Sequence, residues 1–127
     1  MDAYYIVNDP NDPIAVKATE IRKQDYLFWR EVKPDLEDDF DISCHTLSTR
    51  TGLSERRTRD ITMALYRLAE LPLTKALQET YYFLDFSRLI TIDAVLSKLG
   101  DIPTEILERI DQELASYLTP TKPGQVL

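Results

Sequence analysis

Apolar residues recur every three or four positions along most of this chain, the spacing that gathers them on one side of an α-helix. Strict alternation, the mark of a half-buried strand, is nearly absent. The pattern predicts an all-α fold of about five helices with no substantial sheet. Residues 1–12 read as an N-terminal arm. In it Tyr4 to Val7 pair as a short strand or pack as an apolar tail, and residues 8–13 carry turn chemistry. Asp12 suits an N-cap and Pro13 the first helical position. The helix they open should run to about Lys33, before Pro34. Its expected inner seam is Ile14, Ala18, Ile21, Phe28 and Val32, with Trp29 beside them. Residues 34–43, which include Asp35, Glu37, Asp38, Asp39 and Asp41, read as an acidic loop.

The best-punctuated pattern spans residues 44–71. A short helix beginning near Cys44 or His45 meets Gly52, which takes a positive φ at little cost. Ser54 then suits an N-cap and Glu55 the positive end of a helix dipole. Ile61, Ala64, Leu65 and Leu68 define the apolar face of that next helix, and Pro72 stops it. A short helix, a glycine turn and a longer helix make a helix-turn-helix-like unit. Small Ser48 lies four positions before the glycine, Leu47 precedes it, and Leu53 and Ile61 follow the glycine by one and nine. Thr58 occupies a position more often held by Val or Ile.

Beyond Pro72, residues 74–80 suggest a short helical piece. Asp85 suits the N-cap of a helix reaching Leu99, with Gly100 as its stop and Leu89, Ile92, Leu96 and Leu99 as its stripe. A further helix should open at residues 101–103 and turn Leu107, Ile110, Leu114 and Tyr117 or Leu118 inward, ending at Thr119-Pro120. Residues 84–118 would then form an antiparallel helical hairpin. Residues 119–127 read as a loose tail. The aromatics Tyr81, Tyr82, Phe83 and Phe86 read as core or as an interaction surface. The 127 residues suit one helical domain.

Charge sharpens the picture. The chain carries a net −7, yet residues 43–70 carry +2 between flanks of −6 and −3. On a helical wheel centred on Ile61, Arg56, Arg59, Met63 and Arg67 fall on the far side, while Arg57 lies near the apolar edge. In a DNA-binding helix-turn-helix the outward residues at the start of the second helix meet bases and phosphates. The candidate DNA contacts are therefore Arg56 and Arg59, supported by Arg50, Arg67, Ser54 and Thr58. The same arginines also fit a solvated helix surface.

Other chemistry finds little support. The acidic loop resembles part of a calcium loop but lacks its turn glycine and terminal glutamate. One cysteine and one histidine, adjacent at Cys44-His45, make neither a zinc site nor a nucleophile–base pair with each other. No catalytic residue, metal, cofactor or small-molecule substrate is indicated. The lone cysteine excludes an intrachain disulfide and fits a cytoplasmic setting. No signal-like N-terminus or membrane-length apolar run is present.

The run from Gly52 to Ile90 resembles the domain of unknown function found ahead of HNH endonuclease domains in actinobacterial proteins, including repeat proteins of phage-like elements. The matching features are Gly52-Leu53-Ser54, the arginines 56, 57 and 59, Ala64 to Leu68 with Leu71-Pro72, and Ala76-Leu77. Leu84-Asp85 with Arg88 and Ile90 follow, then Leu118-Thr119-Pro120 and Gly124-Gln125. The resemblance covers roughly residues 45–127. Thr80 replaces a usual glycine, and residues 121–123 are inserted. The family's nuclease chemistry lies in a later domain that needs several histidines, so the resemblance implies a non-catalytic N-terminal part of a longer protein. It supplies no functional residues to carry over. Three roles are left: a DNA-binding or DNA-positioning module, a protein-interaction or homodimerisation module using residues 81–99, and an acidic DNA mimic using Asp35 to Asp41.

Overall fold

Asp12 and Pro13 start the first helix as their chemistry requires. Asp12 Oδ1 accepts the Ile14 amide at 2.9 Å, and Pro13 takes the first helical position, where a missing N–H costs nothing. The computed structural model describes residues 10–36 and 39–118. Over these residues the chain forms six helices and no strand: α1 Pro13–Val32, α2 Phe40–Thr51, α3 Glu55–Ala69, α4 Pro72–Tyr81, α5 Phe86–Ser97 and α6 Thr104–Tyr117. The fold is all-α, with six helices where about five were expected, because the short piece over residues 74–80 is a full helix starting at Pro72. Residues 1–9 of the expected arm, Glu37 and Asp38 of the acidic stretch, and residues 119–127 of the expected tail lie outside the described residues.

α3 is the organising helix. It packs chiefly on α5, and also on α2, α4 and α1, while α6 lies on α4. Ile61, Ala64, Leu65 and Leu68 are buried along its inner face as their spacing predicts. They meet Leu84 just ahead of α5, Phe86 and Leu89 at its start, and Tyr26 and Trp29 from α1.

Three expectations change. The first concerns the face of α1. Ile14, Ile21 and Phe28 point to solvent, and Tyr26 and Trp29 are the buried residues. α1 is apolar on two sides, so its own pattern does not choose between them. Partners far along the chain do. The Tyr26 hydroxyl donates to Glu79 at 2.8 Å, its ring stacks on Phe86, and Arg22 Nε donates to the Tyr82 carbonyl at 2.8 Å.

Second, α2 begins at Phe40, inside the stretch expected to be loop. Phe40, Cys44, Leu47 and Ser48 supply an inward face, and Asp41 in the first turn suits the helix dipole. Cys44 is fully buried, and burial pushes its thiol pKa up despite the nearby Arg59 charge.

Third, α6 packs on α4 rather than pairing with α5. The reason is Asp111, a buried carboxylate on the α6 face where only apolar residues were expected. It accepts the amides of Leu73 and Thr74 at 2.9 and 2.8 Å and the Thr74 hydroxyl at 2.7 Å. Leu71 at the head of α4 makes no side-chain cap, and Pro72 has no N–H, so Asp111 caps α4 from another helix. At the end of the α5 stripe, Leu99 is exposed, because α5 stops at Ser97 and Gly100 takes φ 67°.

Glu79 fastens α1 to α4. Partial burial would raise its carboxyl pKa, but hydrogen bonds from Tyr26 and Arg30 and the charges of Lys75 and Arg30 outweigh burial and hold it below the usual carboxylate range. Burial, with the Glu79 carboxylate second, pushes the Tyr26 phenol up. A depressed carboxyl contributes stability that is present above its unfolded pKa and lost as pH falls through the folded one. Glu79→Gln should therefore cost about 1–2 kcal/mol near neutrality. Thermal melts from pH 7 down to pH 3 should show the gap to the wild type closing in the acid range below about pH 4.

Candidate nucleic-acid interface

The helix-turn-helix-like unit is α2, the turn of residues 52–54, and α3. Gly52 takes φ 79°, and its amide donates to the Ser48 carbonyl at 2.9 Å, ending α2. Thr51 Oγ1 donates to the Leu47 carbonyl and accepts the Leu53 amide, which braces the turn. Ser54 Oγ accepts the Arg57 amide at 3.0 Å and caps α3. Each of these roles follows from local chemistry, and the turn and cap sit at the expected residues.

The candidate contacts divide. Arg50, in the last turn of α2, and Arg56, in the first turn of α3, are exposed. Among the described residues, neither side chain takes part in a hydrogen bond or ion pair. Arg59 pairs with Asp41 at 2.8 Å, and its guanidinium lies 5.5 Å from the Phe40 ring, so it ties α3 back to the start of α2. The hydrogen bond to Asp41 raises its pKa further. Ser54 Oγ accepts the cap bond, and its hydroxyl proton is left to donate to a ligand.

Thr58 and Arg67 are corrected. Thr58 is fully buried, and its hydroxyl donates to the Ser54 carbonyl at 3.0 Å. It follows Gly52 by six and precedes Ile61 by three, and that register turns it into the core. A buried β-branched residue serves there as a Val or Ile would. Arg67 is a clamp between α3 and α5. Its Nε reaches Asp93 at 3.0 Å, and its terminal nitrogens reach Glu70 at 2.9 Å and Ser97 at 3.4 Å. The wheel places it away from Ile61, but α5 covers that side of the helix at its C-terminal end.

Burial divides the aromatic group between its two readings, core or interaction surface. Phe83 and Phe86 are core residues, at 3% and 4% exposure. Tyr81 is half-buried and stacks on Phe83 with centroids 5.2 Å apart. Tyr82 is half-buried between Tyr26 and Lys23. It takes φ 54°, so the left-handed turn after α4 is made without a glycine. Leu53, the apolar residue that follows the turn glycine by one, is 38% exposed.

Two acids of the unit are engaged within it. Asp41 is held by Arg59, and Glu55 by His45 Nδ1, which joins the middle of α2 to the start of α3. Sequence reasoning named the arginines but missed these two pairs. His45 and Glu55 are ten residues apart, and nothing local signals their meeting. Among the described residues, no group of three or more His, Cys, Asp or Glu is placed to hold a metal ion, and no helix is long and apolar enough to cross a membrane. No family model, no curated protein and no solved structure matches the chain.

Proposed function

We propose that the chain is a non-catalytic DNA-binding or DNA-positioning module, accessory to an HNH-type nuclease of a mobile element. The nuclease association rests on the motif resemblance alone. The DNA reading is carried by one observation: Arg50 and Arg56 flank the turn as exposed cations without internal partners, while Asp41 and Glu55 are occupied. A cation that gives up no internal bond reaches a phosphate at the smallest cost. Arg56 also sits at the positive end of the α3 dipole, where phosphate oxygens are favoured. Arg59 contributes when Asp41 releases it. The acidic flanks suppress non-specific binding and leave this face as the attractive one.

Fluorescence anisotropy of a labelled duplex across a salt series tests this. Affinity should fall linearly in log salt, and Arg50→Glu/Arg56→Glu should abolish binding while the melting temperature holds. Single alanine substitutions should cost about 1–3 kcal/mol where the arginine reaches a base edge. Absence of binding at low salt, or binding indifferent to the double substitution, would remove the reading.

A further inference from the structure

α1 is 20 residues long, about 30 Å at the rise of an α-helix. The named bonds that fasten it to the other helices, from Arg22 to Tyr82 and from Tyr26 and Arg30 to Glu79, begin at its tenth residue and leave its first two turns without such a bond. On the outer side, Ile14, Ile21 and Phe28 follow each other at seven-residue intervals, exposed by 78%, 70% and 46%. Ala18, Asp25 and Val32 stand at the alternate positions of the heptad seam, on the margin of this face: Ala18 and Val32 are half-buried, Val32 also packs against its own core, and Asp25 interacts with Arg57 and Asp85. Single exposed apolar residues are ordinary on a soluble protein, but three large ones in heptad register along one helix face are the pattern of an interface.

The seam is complementary to itself in one direction. In an antiparallel pairing, Ile14 meets Val32 of the second copy, small Ala18 meets bulky Phe28, and Ile21 meets Asp25. Beside the seam, Lys17 then faces Glu31 of the second copy and Gln24 faces its own equivalent. Lys17 and Glu31 are both exposed, and among the described residues neither has an ion partner within its own chain. A parallel pairing would instead stack Asp25 on Asp25, two like charges in one layer. An isologous two-fold contact needs a patch that fits itself, and this one does only in the antiparallel sense.

We propose that α1 docks antiparallel against α1 of a second copy of this chain, through Ile14, Ala18, Ile21, Phe28 and Val32, with Lys17 and Glu31 setting the direction. The docking rests on the α1 face and not on the DNA reading. Asp25 weakens the dimer and fixes its register, the usual effect of a polar residue in such a seam.

Sedimentation equilibrium of the full chain is the test. The wild type should show a concentration-dependent monomer–dimer equilibrium. Ile21→Arg, a change at an exposed position, should weaken it at least a hundredfold with the melting temperature of the monomer unchanged. Lys17→Glu and Glu31→Lys should each weaken it roughly threefold to tenfold, since each change breaks two equivalent pairs. The double variant Lys17→Glu/Glu31→Lys should return to the wild-type affinity, a recovery that neither misfolding nor a different partner produces. A wild type that stays monomeric at all concentrations, a dimer indifferent to Ile21→Arg, or a double variant no better than the singles would overturn the proposal. The first of these outcomes would leave the seam to another occupant, such as residues 1–9.

Discussion

Asp111→Ala should lose about 3–5 kcal/mol of folding stability, a large part of what a domain of this size holds. The carboxylate is 2% exposed and carries three hydrogen bonds to the first turn of α4. Among the described residues, no ion pair neutralises it. The aligned amides of the α4 N-terminus point at it and favour an acceptor there. Removing it strands the Leu73 and Thr74 amides, and α4 has no local cap to replace it. Asp111→Asn keeps one acceptor oxygen and should lose roughly half as much. Urea unfolding followed by far-UV circular dichroism reads both variants. A loss below about 1 kcal/mol in the alanine variant would mean that water satisfies the α4 amides and that the inter-helix cap contributes little.

Gln78→Glu should destabilise the fold at neutral pH and recover as the pH falls. Gln78 is 1% exposed, and its amide brackets one residue of the α4–α5 connection. Nε2 donates to the Leu84 carbonyl at 2.8 Å, and Oε1 accepts the Leu84 amide at 2.8 Å. A carboxylate keeps the second bond but places a second acceptor against the carbonyl, in a site that also disfavours charge. The cost should be about 2–4 kcal/mol. A protonated carboxyl restores a donor, so the defect should shrink between pH 7 and pH 5. Gln78→Ala, which leaves both Leu84 groups unpaired, should lose a similar amount with no such pH dependence. Melting curves of the two variants at both pH values separate these outcomes. Equal behaviour of the two variants would show that the bracket does not depend on the donor.

How far the molecule is legible in its sequence depends on the range of the interactions. The caps at Asp12, Ser54 and Asp85 and the left-handed glycines 52 and 100 stand where expected, since each involves residues two to four apart. The inner face of α3 is also legible, because only one of its sides is apolar. α1 is apolar on two sides, and the choice between them is made by Glu79 and Tyr82, about fifty and sixty residues away. α2 hides its start in acidic residues that resemble a solvated loop. α6 hides its partner, because a lone aspartate on a helix gives no sign that it caps another helix. The candidate face divides in the same way. The turn and its cap are local and visible, and so is the concentration of arginines. Whether each arginine is free or tied depends on Asp41, Asp93 and Ser97, and only the fold brings these close.

Cys44 gives the protein a built-in clock. It is the only thiol in the chain, it is fully buried on α2, and its raised pKa keeps the reactive thiolate scarce. A thiol reagent therefore reacts only in molecules whose α2 has come away from α3. The labelling rate is the intrinsic rate scaled by the fraction open at any moment. Measured against denaturant, that rate distinguishes a helix that detaches alone from one that opens only when the whole chain unfolds. It reports on the helix leading into the arginine turn, with no probe added to the molecule.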